Sequence, residues 1–113
     1  MGDRRNVKLM YGDNQPPVYF YTHWHGEDLP RIVADALDSQ SGRSRWGDPD
    51  YLARIIFSAM IRYEIDDASG YGIAPYRMDY NHEDIEIDLI NKTADGRPYE
   101  VYIEYNKSNA AAV

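Results

Sequence analysis

Two aspartate–proline pairings, Asp28-Leu29-Pro30 and Asp48-Pro49, each stand just ahead of an apolar stripe with helical spacing, and they constrain this chain more than any other feature. An aspartate at such a position can cap the free N–H groups of a first helical turn. Proline fits the same turn, because the N–H it lacks would have no intrahelical partner. After the first start, Leu29, Ile32, Val33, Ala36 and Leu37 recur at i, i+3, i+4, i+7 and i+8, and Gly42 supplies a stop. After the second come Leu52, Ile55, Ile56, Ala59, Met60 and Tyr63. Phe57 and Ile61 fall off that stripe, so the second helix is expected to be buried on more than one side and central, with residues 66–70 closing it.

Around these helices the pattern changes to a period of two. Val18 to Trp24 reads as a strand with Val18, Phe20, Thr22 and Trp24 on one face; Tyr19, Tyr21 and His23 lie on the other, with His25 continuing that side. Residues 1–17 are polar and end in Pro16-Pro17, which predicts a flexible arm with at most a weak edge strand around Val7 to Tyr11. In the last third, Ile85, Ile87 and Leu89 alternate with acids, as do Tyr99, Val101, Ile103 and Tyr105 with Glu100, Tyr102 and Glu104. A two-residue turn at Asp95-Gly96 would mix the faces of these two runs. A three-residue loop Ala94-Asp95-Gly96, with Gly96 left-handed, instead pairs Leu89 with Val101, Ile87 with Ile103 and Ile85 with Tyr105, and sets Glu86 across from Glu104. A short strand near Gly72 to Met78 is limited by Pro75 to an edge or an end. The expected fold is α+β, an antiparallel sheet of about four strands with two helices packed on one face. Residues 18–106 form its single domain, and 107–113 a disordered tail.

Composition narrows the function classes. A length of 113 residues, with 43% hydrophobic and 27% charged, suits one soluble globular domain. The net charge of -7 argues against extended duplex nucleic acid as a partner, although a locally basic pocket could still hold a small anion. The absence of cysteine excludes disulfides and thiolate metal sites and agrees with a cytoplasmic location. Neither a signal peptide nor a run long enough to cross a membrane is read, since the greasiest stretch, Leu52 to Ile61, is interrupted by Arg54. Eleven tyrosines suit a half-exposed contact surface, and a tyrosine-rich sheet edge suits a homodimer.

Two segments carry the candidate chemistry. Arg45 and Trp46, with Arg54 and the nearby Arg43, put planar cations beside an indole, a combination that can stack on a base and hold phosphate oxygens. His23, Trp24 and His25 end the first strand. The two imidazoles would share a side and could ligate a metal, with Glu27 or Asp28 adding a carboxylate. That pair superficially resembles the histidine motif of metallo-β-lactamase-type hydrolases, but the final histidine of the motif is missing and His82 is the one other imidazole. The acidic residues Glu86, Asp88, Glu100 and Glu104 are expected on a solvated sheet face, with a basic protein partner as the functional alternative. No nucleophile elbow, phosphate loop or dinucleotide fingerprint occurs, and no motif implies a cofactor.

The succession Tyr21-x-His23-Trp24-x-Gly26, Leu29-Pro30, Arg45-Trp46-x-Asp48, Tyr51-Leu52-Ala53-Arg54-Ile55-Ile56-Phe57 and Gly70-Tyr71-Gly72-Ile73 resembles a family of small proteins from actinobacteria and their phages, over roughly residues 18–90. His25 departs from that family's pattern, which weakens the two-histidine metal site. The resemblance implies a context, a phage accessory factor acting in the host cytoplasm by stoichiometric binding, and no reaction. The function expected is therefore non-enzymatic binding of a nucleotide-like anion through His23, Trp24, Arg45, Trp46 and Arg54. A host protein bound through the acidic, tyrosine-rich sheet face is the alternative, and a metal-dependent hydrolase using His23 and His25 comes third.

Overall fold

A computed structural model describes residues 2–108. In chain order the elements are β1 (Arg5–Met10), β2 (Val18–Thr22), α1 (Leu29–Asp38), α2 (Gln40–Arg43), α3 (Pro49–Met60), β3 (Tyr71–Ala74), β4 (Ile85–Asp88), β5 (Thr93–Ala94), β6 (Arg97–Pro98) and α4 (Tyr99–Asn106). The class is α+β, but the sheet has six strands in the order β3-β2-β1-β4-β5-β6 and is mixed rather than antiparallel. The parallel pair is β1 with β4, which sets Val7 beside Ile85 and Leu9 beside Ile87. Among the described residues no helix is long and apolar enough to cross a membrane.

The segment expected as a flexible arm contains an interior strand of this sheet. Val7 and Leu9 are wholly buried, and β1 pairs antiparallel with β2 through Val7–Phe20 and Leu9–Val18. Register and alternation place Val7, Leu9, Phe20, Ile85 and Ile87 on one face. There they join Leu29, Val33, Leu37, Leu52, Ile56, Met60, Tyr102 and Ile103 in a single core. Three helices contribute, with α1 packing against both α3 and α4. The central helix is thus α1, not α3 as the off-stripe Phe57 and Ile61 suggested; both of those are only partly buried, and Tyr63 is exposed.

On the opposite face the chain returns from β3 to β4 across the end of β1. Asn6 points to that face, yet it is 0% exposed, because its amide reads a crossing backbone in both directions. Nδ2 donates to the Met78 carbonyl at 2.9 Å, and Oδ1 accepts from the Met78 N–H at 3.1 Å. Arg4 and Asn81 make a second pair of bonds, each 2.8 Å, and the His82 imidazole meets the Asp3 carboxylate.

The expected hairpin from Ile85 to Tyr105 is replaced by a short strand pair and a helix. Asp95 and Gly96 both have positive φ, 51° and 78°, and form a two-residue turn that pairs Ala94 with Arg97. The objection to that turn was mixed faces in a long ladder. It lapses here because the ladder stops at Pro98, after two residues per strand. From Tyr99 the chain is helical and buries Tyr99, Tyr102 and Ile103 at i, i+3 and i+4, while Val101 and Tyr105, which alternation had placed in the sheet, are exposed. The pairing of Glu86 with Glu104 and the acidic hairpin face disappear with it. Lys107 closes α4, Ser108 bonds to Asp35, and the rest of the expected disordered tail, residues 109–113, lies outside the described residues.

Helix α1 ends before Gly42. Ser39 breaks it and caps α2, its hydroxyl accepting from the Gly42 N–H at 3.0 Å and donating to the Ala36 carbonyl at 2.7 Å. Gly42 packs so closely that a Cβ there would lie 2.0 Å from that same carbonyl oxygen.

Candidate functional site

Arg54, Ser58 and Arg62 are spaced four residues apart, so α3 and the turn after it carry them along one side, with Tyr51 one turn earlier. Facing them, α2 and the loop after it contribute Ser39, Ser41, Ser44 and Arg45. Between the two lies an open groove of about 570 Å³ whose lining includes three arginines and four serines but no carboxylate. Arg45 leans on the Tyr51 ring, 5.0 Å from its centroid, and has Asp48 at 3.3 Å. Arg54 and Arg62 form no ion pair among the described residues. Arg43 is different. It donates to both oxygens of Glu100 and to Asp38, tying α2 to α4, and these carboxylates hold its guanidinium well above the ordinary arginine range.

A second groove of about 430 Å³ opens towards the C-terminal end of α3, lined by residues that include His25, Asp28, Arg31, Glu64 and Tyr71. His25 lies over Tyr71 with the rings 13° from parallel. Glu64 links them, accepting from the Tyr71 hydroxyl and meeting His25 Nε2 at 3.2 Å. The Tyr71 hydrogen bond, and to a lesser degree that from His25, holds the Glu64 carboxyl below its ordinary value of 4.5. A carboxylate held low in the fold binds fewer protons there than in the unfolded chain, so its stabilisation is complete above pH 4.5 and is lost as pH falls through the lowered value. Urea unfolding at pH 7 and at about pH 3.5 should therefore show an acid-side loss that Glu64→Gln reduces; an identical loss in both proteins would remove Glu64 as its source.

Of the five ligand residues expected from sequence, this arrangement brings Arg45 and Arg54 into one groove. Trp46 lies outside its lining: the indole donates to the Leu37 carbonyl at 3.0 Å, meets Tyr99 edge-on and sits under Arg43. Trp24 is 54% exposed at the far end of β2, against Gly70 and the His23 ring, and shares no contact with Trp46. His23 accepts from Arg4 at 3.3 Å.

The two histidines expected to share a side are separated. The strand stops at Thr22, whose hydroxyl oxygen accepts from the backbone of both Trp24 and His25 and turns the chain, leaving His23 beside Arg4 and His25 beside Glu64. Among the described residues no group of three or more histidines and carboxylates is arranged to hold a metal. Arg62, Tyr51 and the serines were missed as site residues, although the four-residue spacing of Arg54, Ser58 and Arg62 was a usable signal. No family model, curated protein or solved structure matches this chain.

Proposed function

We propose that this protein binds a small phosphorylated, nucleotide-like anion in the groove between α2 and α3, as a binding protein rather than an enzyme. The observation that carries this reading is the pair Arg54 and Arg62, without carboxylate partners among the described residues, in a groove that no acid lines. Of the nine exposed lysines and arginines, Arg31, Arg43, Arg45, Arg77 and Lys107 find an acid; among the remaining four, Arg54 and Arg62 line one groove together. A guanidinium fork left open matches the geometry of phosphate oxygens, and serine hydroxyls along the same groove can donate to the oxygens that remain. Tyr51, 53% exposed under Arg45, offers a ring face on which a base could stack. If the resemblance to small proteins of actinobacteria and their phages reflects a phage accessory role, such binding would be stoichiometric capture of a nucleotide signal.

Calorimetric titration with inorganic pyrophosphate and a panel of mono-, di- and cyclic nucleotides tests this. Binding should weaken with salt and fall roughly tenfold or more in Arg54→Ala, the usual loss for one charge-assisted hydrogen bond. Absence of binding across the panel would refute the reading.

A further inference from the structure

We infer that the groove holding His25, Glu64 and Tyr71 is the second half of the same cleft and takes the hydroxyl-bearing sugar of the phosphorylated ligand. The inference rests on the phosphate-binding reading and adds a ligand class to it, the ribonucleotides. The two grooves share Ala36, Ala59 and Arg62 in their walls, so Arg62 stands where one passes into the other.

Their chemistry is opposite in sense. The α2–α3 side presents cations and hydroxyls without an acid, whereas the far side presents the carboxylates of Asp28, Asp35 and Glu64 against Arg31 and Arg62. An anion is favoured at the first end, and a neutral group rich in donors at the second. Asp28 is the carboxylate with acceptor capacity to spare. It is more than half exposed, and its nearest ion partner, His25 Nδ1, is 3.9 Å away. Glu64 by contrast is engaged by Tyr71 and His25, so it fixes the imidazole instead of reaching for ligand. A carboxylate with both oxygens open is a good acceptor for two vicinal hydroxyls, each bond being charge-assisted. A bare phosphate would need the arginine side alone. Each groove is by itself as large as many small-molecule sites, so the joined cleft has room for a nucleoside as well as its phosphates.

The test titrates three probes, a ribonucleoside 5′-diphosphate, its 2′,3′-dideoxy analogue and inorganic pyrophosphate, into the wild-type protein, Asp28→Asn and Arg54→Ala. The wild type should bind the ribonucleotide at least about tenfold more tightly than the dideoxy analogue, the scale of a single hydrogen bond to a charged group. Asp28→Asn should erase that preference and leave pyrophosphate binding unchanged, whereas Arg54→Ala should weaken all three probes. Equal binding of the two nucleotides by the wild type, or a preference that survives Asp28→Asn, overturns the sugar subsite while the phosphate site stands. If pyrophosphate and both nucleotides fail to bind, both proposals fall.

Discussion

Replacing Gly42 by alanine is expected to destabilise the protein by about 3 kcal/mol or more, at or above the upper end of the usual cost of overpacking a close contact. The new Cβ would lie 2.0 Å from the Ala36 carbonyl oxygen and 3.0 Å from its carbon, both backbone atoms of α1 that cannot swing aside as a side chain could. Relief requires α2 to move away from α1. That motion would break the Ser39 cap and shift Arg43 from Asp38 and Glu100. Thermal unfolding followed by circular dichroism should show a midpoint lower by roughly 10 °C or more, given the several degrees per kcal/mol usual at this size. A change within about 2 °C would mean that the α1–α2 contact is looser than described. Because Ser41, Ser44 and Arg45 are carried by α2 and the loop it leads into, any folded fraction should also bind pyrophosphate more weakly.

Asn6→Leu should cost roughly 2–4 kcal/mol, two backbone–amide bonds each worth about 1–2 kcal/mol when their partners are left unsatisfied. Leucine repeats the branched skeleton of asparagine without its hydrogen-bonding atoms, so it leaves unpaired the Met78 N–H and carbonyl, which the Asn6 amide satisfies together. Urea denaturation gives the magnitude. Amide exchange gives the place, since the Met78 amide should lose its protection while strand β1 keeps its own. A stability change below about 0.5 kcal/mol would show that the crossing segment is held by Arg4, Asn81, Asp3 and His82 without help from Asn6.

Helices α1 and α3 could be read from sequence because each combines a start signal with a stripe that buries one side, and β2 because five alternating residues leave few other conformations. Strand β1 could not be placed. Its apolar content is only Val7 and Leu9 with a terminal Met10, and its central position depends on β4, a partner far along the chain that no local pattern specifies. The misread α4 has a different cause. Tyr99 to Tyr105 satisfies both a period of two and a spacing of three and four, and the choice was made by Pro98 and by the space beside α1 that Tyr102 and Ile103 fill.

The candidate site divides along similar lines. Arg45 and Arg54 were visible as cations flanking one helix start, but sequence could not tell which of three neighbouring arginines would be consumed; Arg43 is, by Glu100 from an element read as a strand. Trp46 was equally compatible with a stacking platform and with a lid on the core, and its bond to the Leu37 carbonyl makes it part of the packing between α1 and α4. Arg62 escaped notice because it lies off the apolar stripe that defined the helix, though it continues the Arg54–Ser58 side.

The most direct measurement is a titration of the folded protein with inorganic pyrophosphate while the arginine side-chain Nε–H and tryptophan indole N–H resonances are followed by NMR. Arg54 and Arg62 should move furthest, Arg45 less because Asp48 already holds it, and the Trp24 indole should stay in place. Shifts centred on His23 and Trp24, or none at saturating pyrophosphate, would contradict an anion site between α2 and α3.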